Sequence, residues 1–172
     1  MNKDHLKIIC KKLNLGFPNK EPINIPGSRG GSFIWQINTN FGRYAIKQLS
    51  PEIDLTSRKT INKYELSEKI SHKFMFSDIP AVSAIELSGN YLFLLEDFGY
   101  LVYPWVEGYT LNRHEVSKRH ALIISELIAN IHNINLKVTE FKEPHYDEHS
   151  SDSIVTAISG VKIHSESLYK EL

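Results

Sequence analysis

The chain has 172 residues, 41% of them hydrophobic and 23% charged, which is the composition of a soluble globular unit and excludes a disordered or low-complexity chain. Lys and Arg together number 20 and so do Asp and Glu, so no net field draws the protein to nucleic acid or an anionic membrane, and small molecules or proteins are the better partners. Cys10 is the one cysteine; this excludes an internal disulfide framework and suits a reducing, cytoplasmic setting.

The N-terminus carries charges where a secretory signal needs an apolar run, so it reads as an amphipathic helix. Over Asp4–Leu13, Leu6, Ile9, Cys10 and Leu13 share one helical face, and Gly16 is the C-cap candidate. From Pro22 the period changes to strand, loop, strand: Ile23 and Ile25 alternate with polar positions, Gly27–Ser32 is a small-residue loop, and Phe33–Ile37 alternates again. Thr39–Gly42 has turn chemistry, and Arg43–Leu49 returns as a third antiparallel strand. Thr56 or Ser57 caps a helix running to about Phe76. Three further strands are expected at Ala81–Leu87, Tyr91–Asp97 and Leu101–Val106, with turns at Ser88–Asn90 and around Gly99. A helix follows at Ser117–His132, then polar loop over Thr139–Ser153 and short helices within Ile154–Leu172. The pattern is α+β, and its hairpin-length connections argue against a parallel sheet. No stretch has the length of a membrane span, and the eight histidines lack metal-ligand spacing.

Three segments carry candidate chemistry. In Pro26–Ser32, PGSRGGS, three glycines let the backbone approach a ligand and aim N–H groups at phosphate oxygens. Taken alone, such a loop is more often a plain turn. Lys47 lies in the otherwise apolar strand Tyr-Ala-Ile-Lys-Gln-Leu and resembles the strand lysine of protein kinases, a cation beneath a phosphate loop that a carboxylate from the next helix holds in place. Glu68 is the expected carboxylate, with Glu65 one turn earlier as the alternative. Taken separately, the two residues read as a solvated strand lysine and a helix-surface glutamate. The third segment, LVYPWVEG at Leu101–Gly108, is an apolar strand running into a turn, as a hinge between two lobes requires.

Together with DIPAVSAI around Pro80, NYLFLLEDFG before the hinge, LVYPWVEGYTL and LIANIHNIN, these segments occur in the order found in aminoglycoside phosphotransferases. The extra strand before the hinge is most similar to bacterial homoserine kinases of that fold. The resemblance covers residues from about 20 to 135. It implies a protein-kinase-like N-lobe, an antiparallel sheet of five or six strands with one packed helix, over residues 1–107. The first helices of an incomplete helical C-lobe follow over 108–172. It further implies ATP as cofactor, with Gly27, Ser28, Gly30, Gly31, Ser32 and Lys47 at the phosphates and Glu68 holding Lys47. Adenine would donate to the Pro104 carbonyl and accept from the Val106 N–H, with Tyr103 at the back of the pocket and Ile25, Phe33 and Ala45 as walls. Proline suits its place because only an acceptor is needed there. Trp105 is expected over the pocket mouth or against the Ser117–His132 helix, and His132 as a packing or capping residue.

Members of that family continue with a catalytic loop H-[GS]-D-x-x-x-x-N and a later Asp for Mg²⁺. His145-Tyr146-Asp147 does not qualify, because Asp152 stands where the Asn belongs. The chain is therefore expected to be a fragment, a proteolytic product or a truncated gene product, with no catalytic residue or metal ligand of its own. Its expected function is ATP-dependent phosphotransfer to a hydroxyl of a small molecule; the alternative is a non-catalytic nucleotide-binding or protein-interaction module. Apolar residues around much of the Ser117–His132 helix lead to the further expectation of a homodimer through the C-terminal helices.

Overall fold

A computed structural model describes residues 1–26, 31–109 and 111–134. The expected polar loop, the His145–Asp147 segment and the helices after Ile154 lie outside the described residues. The chain divides into a unit Met1–Lys137 and a unit Val138–Leu172, and only the first is described.

Helix α1 spans Lys3–Lys12, its first turn capped by the Asn2 side chain, which accepts from the Asp4 and His5 N–H groups. Asn14, at φ 51°, takes the left-handed conformation just past the helix end, ahead of the expected Gly16. Strands β1 (Ile23–Ile25), β2 (Phe33–Asn38) and β3 (Arg43–Gln48) form the expected antiparallel meander. Thr39 makes its turn: the hydroxyl accepts from Phe41 and Gly42 N–H and donates to the Leu15 carbonyl at 2.6 Å, tying the turn to the chain after α1. Helix α2 (Arg58–Met75) begins at the Ser57 N-cap, whose hydroxyl accepts from the Thr60 N–H.

Beyond α2 only two of the three expected strands form, β4 (Phe93–Leu95) and β5 (Phe98–Pro104), giving a five-stranded sheet in the order β1-β2-β3-β5-β4. Ala81–Leu87 is not a strand. Its Ala84 N–H donates to the Glu68 carboxylate at 2.8 Å and only Ile85 reaches β5, so no ladder develops. Gly99 is not in a turn either. The β4–β5 reversal falls at Glu96, φ 53°, and Gly99 sits inside β5 opposite Leu94. A Cβ there would stand 3.0 Å from Leu49 Cδ1 and 3.1 Å from Leu55 Cδ1, so close packing rather than turning is what requires glycine.

The strand period assigns the two faces. Ile37, Ile46, Tyr100 and Val102, all buried, meet Leu6, Ile9 and Cys10 of α1. Each such aliphatic side chain removed from water contributes about 1.5–3 kcal/mol. Buried His5 adds a polar tie, with Nδ1 2.8 Å from the Tyr100 hydroxyl and Nε2 3.3 Å from Glu96. On the opposite face, Leu49, Leu101, Ala84, Tyr91 and Leu92 form a second core with Ile61 and Tyr64 of α2. The sheet is thus held between α1 and α2.

Helix α3 (Lys118–Asn133) follows after a short 3₁₀ turn at Arg113–Glu115. Leu122, Ile123, Ile124 and Ile128 on it are 47–61% exposed. Among the described residues no helix is long and apolar enough to cross a membrane.

Candidate functional site

On the α2 side of the sheet, cross-strand pairing aligns side chains in two rows. One runs Ile23, Gln36, Ala45, Tyr103 and the next Ile25, Ile34, Lys47, Leu101, the rows two residues or about 6.7 Å apart. Helix α2 covers the β5 side, where Leu101 is 1% exposed. Toward β1 the same face is open: Ile25, Ile34, Gln36 and Ala45 are half-buried and Ile23 is exposed. A strip that is apolar apart from Gln36 therefore lies beside Lys47. The β1–β2 loop joins the sheet at the Lys47 end, and the chain leaves β5 at the Ala45 end.

Of the loop, Gly27, Ser28 and Gly30 lie outside the described residues. Gly31 has φ 69°, and a Cβ on it would meet Ser50 Oγ at 2.8 Å, so both its backbone conformation and its close approach to the chain after β3 need glycine. Ser32 next to it is buried.

Lys47 is half-buried, and its side chain makes no ion pair or hydrogen bond among the described residues. The expected pair with Glu68 does not form, and Glu65 does not replace it. Glu68, 7% exposed, accepts from the Ala84 N–H and from the Tyr103 hydroxyl, both at 2.8 Å. Glu65 accepts from the Tyr91 and Leu92 N–H groups at 2.8–3.1 Å. A carboxylate removed from water has to be hydrogen-bonded. Both glutamates take the neutral donors of the 79–92 segment, which lies against α2, and so bind that segment to the helix. Burial, then the adjoining Glu68 carboxylate, raises the Tyr103 phenol well above its ordinary value of 10.0. Tyr103 is therefore a hydrogen donor throughout the neutral range.

Tyr103 does stand behind the open strip, paired with Ala45. Phe33 does not line it: it pairs with Gln48 on the α1 side, and its neighbour Ile34 takes the place next to Lys47. A strand's period of two makes that displacement a change of face. At the end of β5, Trp105 N–H donates to the Arg43 carbonyl. This makes Tyr44 and Pro104 a pair not bonded to each other, so the Pro104 carbonyl turns away from β3. Val106 is 61% exposed, and no backbone group among the described residues accepts its N–H. Arg43 and Glu107 form an ion pair across the start of this connection. The acceptor and donor that adenine would need are thus both available. The donor set fits a nucleotide, but for Mg²⁺ the described residues offer no cluster of three His, Cys, Asp or Glu side chains.

The sequence reading missed the Tyr103–Glu68–Ala84 network. Its one visible signal was strand alternation, which puts Tyr103 on the face that α2 covers.

No family model matches the chain, and no curated protein matches it. Among solved structures it is similar to a crystal structure from Ralstonia eutropha JMP134, provisionally described as an aminoglycoside phosphotransferase. The two share 13% identity at a TM-score of 0.51 over 78% of this chain and 39% of that one. Likeness at that identity concerns the fold: a mixed α+β, kinase-like N-lobe arrangement with a five-stranded antiparallel sheet and a few helices. This chain spans about two fifths of that chain's length.

Proposed function

We propose that this chain is the nucleotide-binding lobe of an ATP-dependent phosphotransferase whose acceptor is a hydroxyl of a small molecule. The observation that carries the reading is the placement of Lys47. It is a strand cation without a carboxylate partner among the described residues, at the loop end of an open apolar strip whose other end meets the Pro104 carbonyl and Val106 N–H. In that arrangement Ile25, Ile34 and Ala45 would bear on the base, Pro104 and Val106 would read its edge, and Lys47 with Gly31 and Ser32 would meet the phosphates. ATP supplies the transferred phosphoryl group; this chain's residues bind and orient it. Glu68, through Tyr103 and Ala84, keeps the back wall of the site in place and leaves the charge of Lys47 to an anion. The fold neighbour supports the lobe assignment.

The test is titration with trinitrophenyl-ATP, followed by fluorescence and competed with ATP. Saturable binding is expected. Lys47→Ala should weaken it about tenfold or more, as the loss of a charge-assisted contact implies, while unfolding shifts by less than about 0.5 kcal/mol. Absence of binding, or a Lys47→Ala variant that binds as the parent does, overturns the proposal.

A further inference from the structure

On the far side of the sheet from Lys47, a cleft of about 1070 Å³ separates α1 from the Gly16–Pro22 segment. Its layout follows from the sequence. Lys3, Lys7 and Lys11 recur every four residues and so align along one edge of α1. The Lys3–Glu21 contact at 2.8 Å holds the end of the segment beside the start of the helix, so the segment runs antiparallel to α1 and brings Lys20 to the opposite rim. Leu6 and Cys10 lie at the base; Phe17, Pro18, Pro22 and Phe41 supply further apolar lining. Phe17 is 81% exposed and Phe41 62%.

Two features separate this cleft from an ordinary surface depression. Among the described residues its charged lining is four lysines against the single carboxylate of Glu21, although the chain as a whole is neutral. Its exposed aromatic rings sit beside an apolar base, an arrangement that costs free energy in water unless something covers it. The Lys7–Asp4 ion pair has side chains 74% and 83% exposed. Such a pair is worth little, so an incoming carboxylate displaces it readily. The volume lies at the upper end of the roughly 300–1,000 Å³ of small-molecule pockets. An apolar floor inside a charged rim is also the anatomy of a protein contact.

We propose that this cleft binds an acidic peptide segment of a partner protein, one carrying Asp or Glu next to bulky apolar residues. The apolar residues bury against Leu6, Phe17 and Phe41, while the carboxylates meet Lys7, Lys11 and Lys20. The predominantly apolar lining favours a peptide over a nucleic acid, whose phosphates ask for cations along the whole track. The cleft does not depend on the nucleotide reading, since α1 and α2 occupy opposite faces.

The test measures fluorescence anisotropy of a fluorescein-labelled peptide of alternating Glu and Phe, with an all-Glu peptide and a single-stranded oligouridylate as comparisons. The Glu-Phe peptide is expected to bind, and to bind more weakly as salt rises. Lys7→Glu with Lys11→Glu and Lys20→Glu should lower affinity about tenfold or more, as reversal of rim charges does. Phe17→Ser with Phe41→Ser should lower it as well, while trinitrophenyl-ATP binding stays at its parent level in both variants. Because every substituted side chain is exposed or on the rim, circular dichroism should show both variants folded. Equal binding of the all-Glu peptide, tighter binding of the oligouridylate, or indifference to both sets of substitutions overturns the proposal.

Discussion

Replacing Tyr103 with Phe removes one oxygen and leaves the ring packed against the buried cluster that includes Leu101. The oxygen donates at 2.8 Å to Glu68, a carboxylate 7% exposed whose one other donor among the described residues is the Ala84 N–H. A hydrogen bond to a charged group contributes about 1.5–3 kcal/mol, and a buried carboxylate that loses a donor is left under-solvated. The expected loss is therefore about 1.5–3 kcal/mol. With a urea m-value of about 2 kcal/mol/M, the midpoint falls by roughly 1 M at unchanged m. Paired with Glu68→Gln in a double-mutant cycle, the two changes should couple by about 0.5–3 kcal/mol. A second readout separates this bond from mere packing. The folded phenol titrates above its ordinary value of 10.0, so the stabilisation is fully present below about pH 10. It declines as pH rises through the folded value, because the unfolded chain releases the proton first. Tyr91 and Tyr100 are raised as well, Tyr100 chiefly by burial, so Tyr103→Phe should reduce the alkaline loss of stability without abolishing it. A variant within about 0.5 kcal/mol of the parent, with an unchanged alkaline limb, would refute the role given to the Tyr103–Glu68 bond.

Gly99→Ala forces a methyl to 3.0–3.1 Å from Leu49 and Leu55, and overpacking of this kind should cost about 1–3 kcal/mol in urea unfolding; a neutral result would mean that both leucines move aside freely. Incubated with Mg²⁺, ATP and an aminoglycoside or amino-acid alcohol, the 172-residue chain should show no phosphotransfer in a coupled ADP assay, because phosphoryl transfer depends on a positioned base and metal; turnover would bring Asp147 back as a candidate. Exposed Leu122, Ile123, Ile124 and Ile128 on α3 lead to concentration-dependent sedimentation as the expected behaviour. Ile124→Glu with Ile131→Glu should restore a monomer, since an unpaired charge resists burial at such a contact. A parent chain that sediments as a monomer at high concentration would remove that expectation.

Local pattern alone determined much of this protein. The period of 3.6 located α1, α2 and α3 to within a residue or two, because caps such as Asn2 and Ser57 and the apolar stripes are encoded by neighbours in the chain. The period of two located β1 to β3 and placed Ala45 and Lys47 together on one face. What local pattern does not encode is which partner a polar group chooses. Lys47 and Glu68 were legible as residue types at suitable positions, yet Glu68 bonds Tyr103 and Ala84, groups 35 and 16 residues away, because the packing of α2 brings those donors nearer. The same long-range competition took the Ala84 N–H out of a strand ladder. It also kept Gly99 free of a side chain, since the space there was already filled by Leu49 and Leu55. The cleft between α1 and the Gly16–Pro22 segment belongs to the same class: Lys3, Lys7 and Lys11 form a row by helical spacing, but Lys20 and Phe41 join them only once the Thr39 turn and the backbone bonds from Asn19 N–H to the Asn38 carbonyl and from Asn40 N–H to the Phe17 carbonyl have folded the chain back on itself.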